Sequence, residues 1–235
     1  MQNLVESIRK DLRRASDPRK ALILQRFFKT GPGQYGEGDV FLGVMVPESR
    51  KIARSYADSA DLPTIKHLLG SALHEERLVA LLVLVIKYKI QGAPMAKFYL
   101  RNLDRVNNWD LVDLTAPSIL GPHLAGADRS LLYKLARSKN VWKRRVAIVT
   151  TLYFIRNRDL DDTFRIAKIL VHDDHDLIQK AVGWMLREAG KRDVVAEEEF
   201  LRSHYHDMPR TMLRYAIERF PERKRKFFMR SDYER

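Results

Sequence analysis

Apolar residues return at intervals of three and four along most of the chain, and prolines and glycines are sparse and fall between the periodic runs. The pattern predicts helices over residues 17–29, 46–58, 62–73, 74–89, 95–106, 128–138, 159–171 and 196–206. Punctuation agrees with these limits: Asp17 stands before a first-turn proline, Pro18, and Pro47, Glu48 and Pro63 suit first turns as well. Residues 78–86 form a continuous apolar run, rich in valine, that by itself would also serve as a buried strand. Its helical neighbours and charged flanks favour a helix, and it is too short to span a bilayer.

The pattern repeats. When the segments beginning at His74, Asn107, Asn140, His175 and Met208 are set beneath one another, Glu76, Trp109, Trp142, Leu177 and Arg210 share one register. They are separated by 33, 33, 35 and 33 residues. Each unit carries this helix and a second one. A pair of helices cannot bury its apolar stripe alone, so pairs of this length stack into a solenoid. The expected fold is therefore all-α: an α-solenoid of stacked helix pairs with a concave face, forming one domain over residues 1–235 with no linker.

Residues 107–121, NNWDLVDLTAPSILG, hold an oddity. On a helix, Trp109, Val112, Asp113, Ala116 and Leu120 share one face, so a carboxylate and an indole stand one turn apart on the side that should turn inward or into a groove. A buried carboxylate is costly unless paired or hydrogen-bonded. Arg145, one repeat along, is a candidate partner. Two readings stay open on physical grounds: a chemical role for Asp113, or an Asp113–Arg145 pair that joins two repeats.

Charge adds a partner. Lys and Arg total 43 against 30 acidic residues, a net charge of +13, which points to a polyanion and first to nucleic acid. The repeat register places Arg77, Trp109, Asp113, Lys143, Arg144, Arg145, Lys180, Trp184, Arg187, Arg210 and Arg214 along one wall of the array, with basic side chains and indoles interleaved. Such a wall offers phosphate contacts and stacking surfaces. The alternative is that the tryptophans are core and the arginines merely solvated. There are no cysteines, which excludes disulfides, thiolate metal sites and a cysteine nucleophile. No signal peptide is expected at the N-terminus, and the protein reads as soluble and intracellular, with no membrane partner.

Other motifs are weaker. Residues 31–36, GPGQYG, match a glycine pattern of dinucleotide sites but lack the flanking strand. They read as a flexible connection or as a loop of backbone donors for a phosphate. The histidines of residues 172–175 and 204–206 lack the spacing of helical metal ligands and read as solvated caps. Residues 196–200, AEEEF, read as a helix start with acids at its positive end. The basic, aromatic tail from Pro221 reads as a nucleic-acid arm or a frayed end.

Taken together, residues 31–54, 107–121, 140–149 and 178–191 resemble the AlkD-type DNA alkylation repair glycosylases. The likeness covers most of the chain, and the tryptophan–aspartate stretch followed by KAVGWMLRE (residues 180–188) is specific in that order. The resemblance implies HEAT-like repeats and excision of cationic N3- and N7-alkylated purines, 3-methyladenine and 7-methylguanine, from double-stranded DNA. It implies that Trp109 and Trp184 flank the deoxyribose, that Asp113 is the catalytic carboxylate, and that Arg145 holds the backbone beside the lesion. Arg187 matches a basic residue of the same groove; Lys143, Arg144, Lys180, Arg210 and Arg214 join it as expected DNA contacts. Phe27 stands where relatives can carry tyrosine, and Asn108 where a relative has a second tryptophan. Family members can work from the backbone side without a base pocket, which implies tolerance of bulky adducts. No metal or cofactor is expected, and the protein is expected to act as a cytoplasmic monomer in a bacterium. The rival readings are a non-catalytic repeat protein that grips the DNA backbone, and a protein–protein scaffold, for which the charge is awkward.

Overall fold

The structure, a computed structural model, describes residues 2–230. These residues fold as α-helices: α1 (Gln2–Arg14), α2 (Pro18–Phe27), α3 (Val46–Tyr56), α4 (Leu62–Leu69), α5 (His74–Gln91), α6 (Ala93–Arg101), α7 (Trp109–Leu124), α8 (Ser130–Ala136), α9 (Val141–Arg156), α10 (Asp161–Ile169), α11 (Asp176–Gly190), α12 (Val194–His204), α13 (Arg210–Ala216) and α14 (Glu222–Arg230). Among the described residues there is no strand, only an isolated bridge between Val40 and Leu73. None of the described helices is long and apolar enough to cross a membrane. The expected all-α class is what the chain adopts.

The caps explain where the helices begin. Asp17 accepts hydrogen bonds from the Arg19 and Lys20 amides at 3.0 and 3.3 Å, and Pro18 opens α2. Asp61 accepts from the Thr64 amide at 2.9 Å, Asn140 from Trp142 and Lys143, and Asp193 from Val195 and Ala196. His175 caps α11 through Nδ1, which accepts from the Leu177 amide at 3.2 Å, as the reading of residues 172–175 expected. The five register positions fall in the first turns of α5, α7, α9, α11 and α13. The basic tail is helical as far as Arg230, with Phe228 buried; its last residues, 231–235, lie outside the described residues.

The chain divides into two compact units, residues 1–115 and 116–235. In the first, α3, α4 and α6 pack on α5, and α1 adds Val5, Ile8 and Leu12. Residues 74–84 of α5 are buried all round, so the valine-rich run is a core helix rather than a strand. α2 behaves differently from its apolar pattern. None of its residues is buried, and Leu22, Ile23 and Phe27 are each more than 60% exposed.

In the second unit α11 packs on α9 and on α13, with α10 and α12 as their partners. A Cβ added to Gly183 of α11 would stand 2.4 Å from the Met212 carbonyl oxygen and 2.5 Å from Tyr215 Cβ of α13. The two backbones meet there, and an alanine must push them apart. Gly183→Ala is expected to cost about 1–3 kcal/mol, a fall of several degrees in Tm by calorimetry.

Candidate active site

Trp109 and Asp113 both lie on α7, one turn apart, and both are half-buried. The start of this helix is held in the first unit by a buried polar cluster that sequence reasoning did not find. Asn108, fully buried, turns Oδ1 to the Trp109 amide at 2.8 Å and donates Nδ2 to Asp39 Oδ2 at 2.9 Å. Asp110 accepts from the Leu111 amide at 2.8 Å and lies 2.8 Å from His74 Nε2. His74 Nδ1 lies 3.1 Å from Asp39 Oδ2, and Arg77 Nη2 donates to Asp39 Oδ1 at 2.5 Å. The four charged side chains are each at most 7% exposed.

The charges decide the protonation states. Burial alone would lower the His74 pKa, but the Asp110 charge and hydrogen bonds to both carboxylates outweigh it and raise it to about 9. Burial likewise works against the Asp39 carboxylate, but His74, Arg77 and Asn108 hold it below its usual range. The buried phenol of Tyr99 is pushed up by burial and by the Asp113 charge, which places that carboxylate near α6.

Aromatic rings wall the cluster. Phe28 stacks on Trp109 with centroids 4.9 Å apart and planes 7° apart, and Phe27 meets the same indole edge-on at 5.8 Å. Phe41 stacks on the His74 ring at 4.4 Å. Phe27 is thus brought to Trp109 as an exposed ring, while Phe28, which drew no notice in the sequence, is the buried ring that supports the indole.

The connection before α3 is tied down. Glu75 accepts from the amides of Leu42, Gly43 and Val44 at 2.8–3.1 Å. Val40 bonds Ala72 and His74 through the backbone. The Gly31 and Gly33 amides are bonded to Gln34 and Glu37 side chains, and that of Gly36 to the Lys29 carbonyl. This corrects the expectation of a phosphate-binding loop at residues 31–36: the N–H groups of Gly31, Gly33 and Gly36 are taken by nearby groups of the chain.

The second unit carries the other expected residues. Lys143, Arg144 and Arg145 follow one another on α9; Lys180, Trp184 and Arg187 lie along α11; Arg210 and Arg214 lie on α13. Several are already engaged. Arg144 pairs with Asp173 at 2.6 Å and donates to the Ser138 and Lys139 carbonyls at 3.0 Å, so it is a strut rather than an open phosphate contact. Arg145 is buried and donates to the Leu177 carbonyl at 2.5 Å, tying α9 to α11. Lys180 pairs with Asp176 at 2.6 Å, Arg187 with Glu218, and Arg210 donates to the Met229 carbonyl at 2.8 Å. Trp184 donates its indole N–H to Glu188 at 3.2 Å. Arg214 is exposed, and Trp142 is core.

Glu197, in the expected acidic start of α12, is not at the surface. It is 3% exposed and packed on Gly190, and burial, only partly offset by Arg187, raises its pKa to about 8. A raised acid binds its proton more tightly in the folded state, so it costs stability as pH rises from its usual 4.5 through about 8. Glu197→Gln is expected to flatten the fall of stability between pH 5 and 8 by up to ~1.4 kcal/mol per pH unit, read from denaturant unfolding across that range.

A search of curated proteins finds no match. A solved structure, "Predicted DNA alkylation repair enzyme from Enterococcus faecalis", shares the fold with a TM-score of 0.72 at 18% identity, over 88% of this chain and 97% of that one. The sequence profile of the family described as DNA alkylation repair enzyme matches residues 8–220. With nearly its whole length matched, the chain belongs to the DNA alkylation repair enzyme family, and its role lies in DNA repair.

Proposed function

We propose that the protein is a monofunctional alkylpurine-DNA glycosylase that hydrolyses the N-glycosidic bond of N3- and N7-alkylated purines in duplex DNA. The observation that supports this reading is the half-buried carboxylate of Asp113 one turn from the half-buried indole of Trp109, on a helix whose first turn is braced by buried hydrogen bonds. An alkylated purine is cationic, so its bond to C1′ is weak. As that bond breaks, the electron pair leaves with the base, which departs neutral, and positive charge moves to an oxocarbenium-like sugar. A carboxylate in a partly dehydrated groove stabilises that charge better than one in water. It also orients the water that adds to C1′ and takes its proton. The indole face packs on the sugar and attracts the cation.

Much of the rate comes from the substrate's own instability, so the reaction needs no metal or cofactor. Phe27, exposed beside Trp109, is assigned a stacking contact with DNA. Within the second unit, Trp184 and Arg187 are assigned contacts with the sugar–phosphate backbone, and Lys143, Lys180, Arg210 and Arg214 contribute charge. Arg145, buried and bonded to the Leu177 carbonyl, is assigned the support of α9 on α11 rather than a direct DNA contact. The protein is proposed to work as a monomer in the bacterial cytoplasm, on HEAT-like repeats.

The test is release of free bases from methylated duplex DNA, followed by chromatography. The expected products are 3-methyladenine or 7-methylguanine and abasic sites in uncut strands, with EDTA present. No release, together with duplex binding that weakens steeply with salt, would overturn the glycosylase reading in favour of a protein that only grips DNA.

A further inference from the structure

The buried cluster behind Trp109 does more than fill space. Both ring nitrogens of His74 face a carboxylate oxygen, Asp110 Oδ2 at 2.8 Å and Asp39 Oδ2 at 3.1 Å. A carboxylate accepts and does not donate, and a neutral imidazole has one N–H. Only the doubly protonated ring bonds both. Asp39 also accepts from Arg77 and Asn108, which keeps it ionised. Two carboxylates thus face one imidazolium and one guanidinium, and the cluster is neutral overall.

We propose that His74 is a positioning residue: as a buried imidazolium bridging Asp39 and Asp110, it holds the first turn of α7 and so sets where Trp109 and Asp113 stand. The consequence for catalysis rests on the glycosylase reading; the consequence for Trp109 does not.

The path is short. Asp110 is the second residue of α7, and Asn108, which bonds the Trp109 amide, is bonded in turn to Asp39. Phe28 and Phe41 lie against the His74 ring, and Phe28 also stacks on Trp109, so imidazole and indole rest on one phenyl ring 5.1 and 4.9 Å away. Loss of the ring charge frees one carboxylate from its donor and loosens both supports of the indole. The other charged groups nearby are already committed. Glu75 faces the amides of residues 42–44, Glu76 pairs with Arg9 of α1 at 3.0 Å, and Arg77 also donates to the Ser71 carbonyl at 2.9 Å. His74 is therefore the group whose titration changes the hub, and its alkaline pKa near 9 leaves it charged at neutral pH.

The experiment uses the full chain labelled with 15N-histidine and 5-fluorotryptophan, and the variants His74→Gln and Asp110→Asn. In the wild type, both His74 nitrogens are expected to be protonated at pH 7 and to titrate near 9. The Trp109 fluorine resonance, assigned with Trp109→Phe, should move with them, while those of Trp142 and Trp184 stay. In folded His74→Gln the Trp109 resonance should shift or split. Single-turnover excision per folded molecule should fall about 10- to 100-fold in both variants, with duplex affinity within about twofold. A neutral His74 at pH 7, or an unmoved Trp109 resonance in a folded variant, overturns the proposal. An unchanged rate constant per folded molecule does so too. If the wild type excises nothing but the Trp109 response is seen, the positioning role stands and the glycosylase reading falls. Should His74→Gln fail to fold, the wild-type titration and Asp110→Asn still decide the matter.

Discussion

Replacing Asp113 with asparagine is expected to cut base release about 100- to 1000-fold while leaving duplex binding intact. The change keeps the size of the side chain and its hydrogen-bonding oxygen and removes only the charge. If that charge stabilises a cationic sugar, its loss falls on the transition state rather than on the bound ground state, at about 2.7–4 kcal/mol, the scale of one preorganised electrostatic contact. Binding should be equal or slightly tighter, because a negative charge has been removed near phosphates. Single-turnover kinetics on duplexes with a defined 7-methylguanine separates the two quantities. An unchanged rate would move the chemistry away from Asp113. Binding that collapses along with the rate would make Asp113 a structural residue.

The second large effect is on stability. Asp39→Ala should lower the folding free energy by about 3–5 kcal/mol, because it strips Arg77 and His74 of a shared carboxylate and leaves buried charge uncompensated. It also removes the acceptor of the Asn108 side chain, itself fully buried. For a chain of this length the loss corresponds to a fall in Tm on the order of 10 °C, measurable by calorimetry. The pH dependence has two limbs. Asp39, held below its usual 3.8, contributes fully above that value and loses its contribution as pH falls through its folded pKa. His74, raised from its usual 6.5 to about 9, contributes fully below 6.5 and loses its contribution as pH rises through 9. The cluster is therefore strongest between roughly pH 4 and 6.5. A wild-type acid or alkaline limb that persists unaltered in Asp39→Ala would mean that other groups carry it.

Much of this was readable from residues. Periodicity and caps placed most helices within a few positions, because burial at spacing three and four and the need to satisfy terminal amides act locally. Val5, Ile8 and Leu12 of α1 keep the helical spacing, but they are three apolar positions among many charges, and it is their burial in the fold that marks them as a core face. α2 had the apolar residues of a core helix and yet exposes Leu22, Ile23 and Phe27. A hydrophobic stripe states that a helix can be covered, not that a neighbour covers it.

The pairing of Trp109 with Asp113 was legible because both lie on one helix. The buried cluster was not, because Asp39, His74 and Asn108 come from three separated segments, and a histidine at a helix start looks the same solvated or buried. Arg144 and Glu197 make the same point in opposite directions, one drawn from an expected open surface into a strut and the other from an expected exposed helix start into the interior. The sequence by itself determined the helical class, the repeat, the basic balance and the carboxylate–indole pair, all set by composition or by neighbours within a turn. Only the tertiary structure decided which charges are exposed, which are buried and what braces the start of α7, because desolvation and long-range hydrogen bonding depend on what the fold brings from distant parts of the chain.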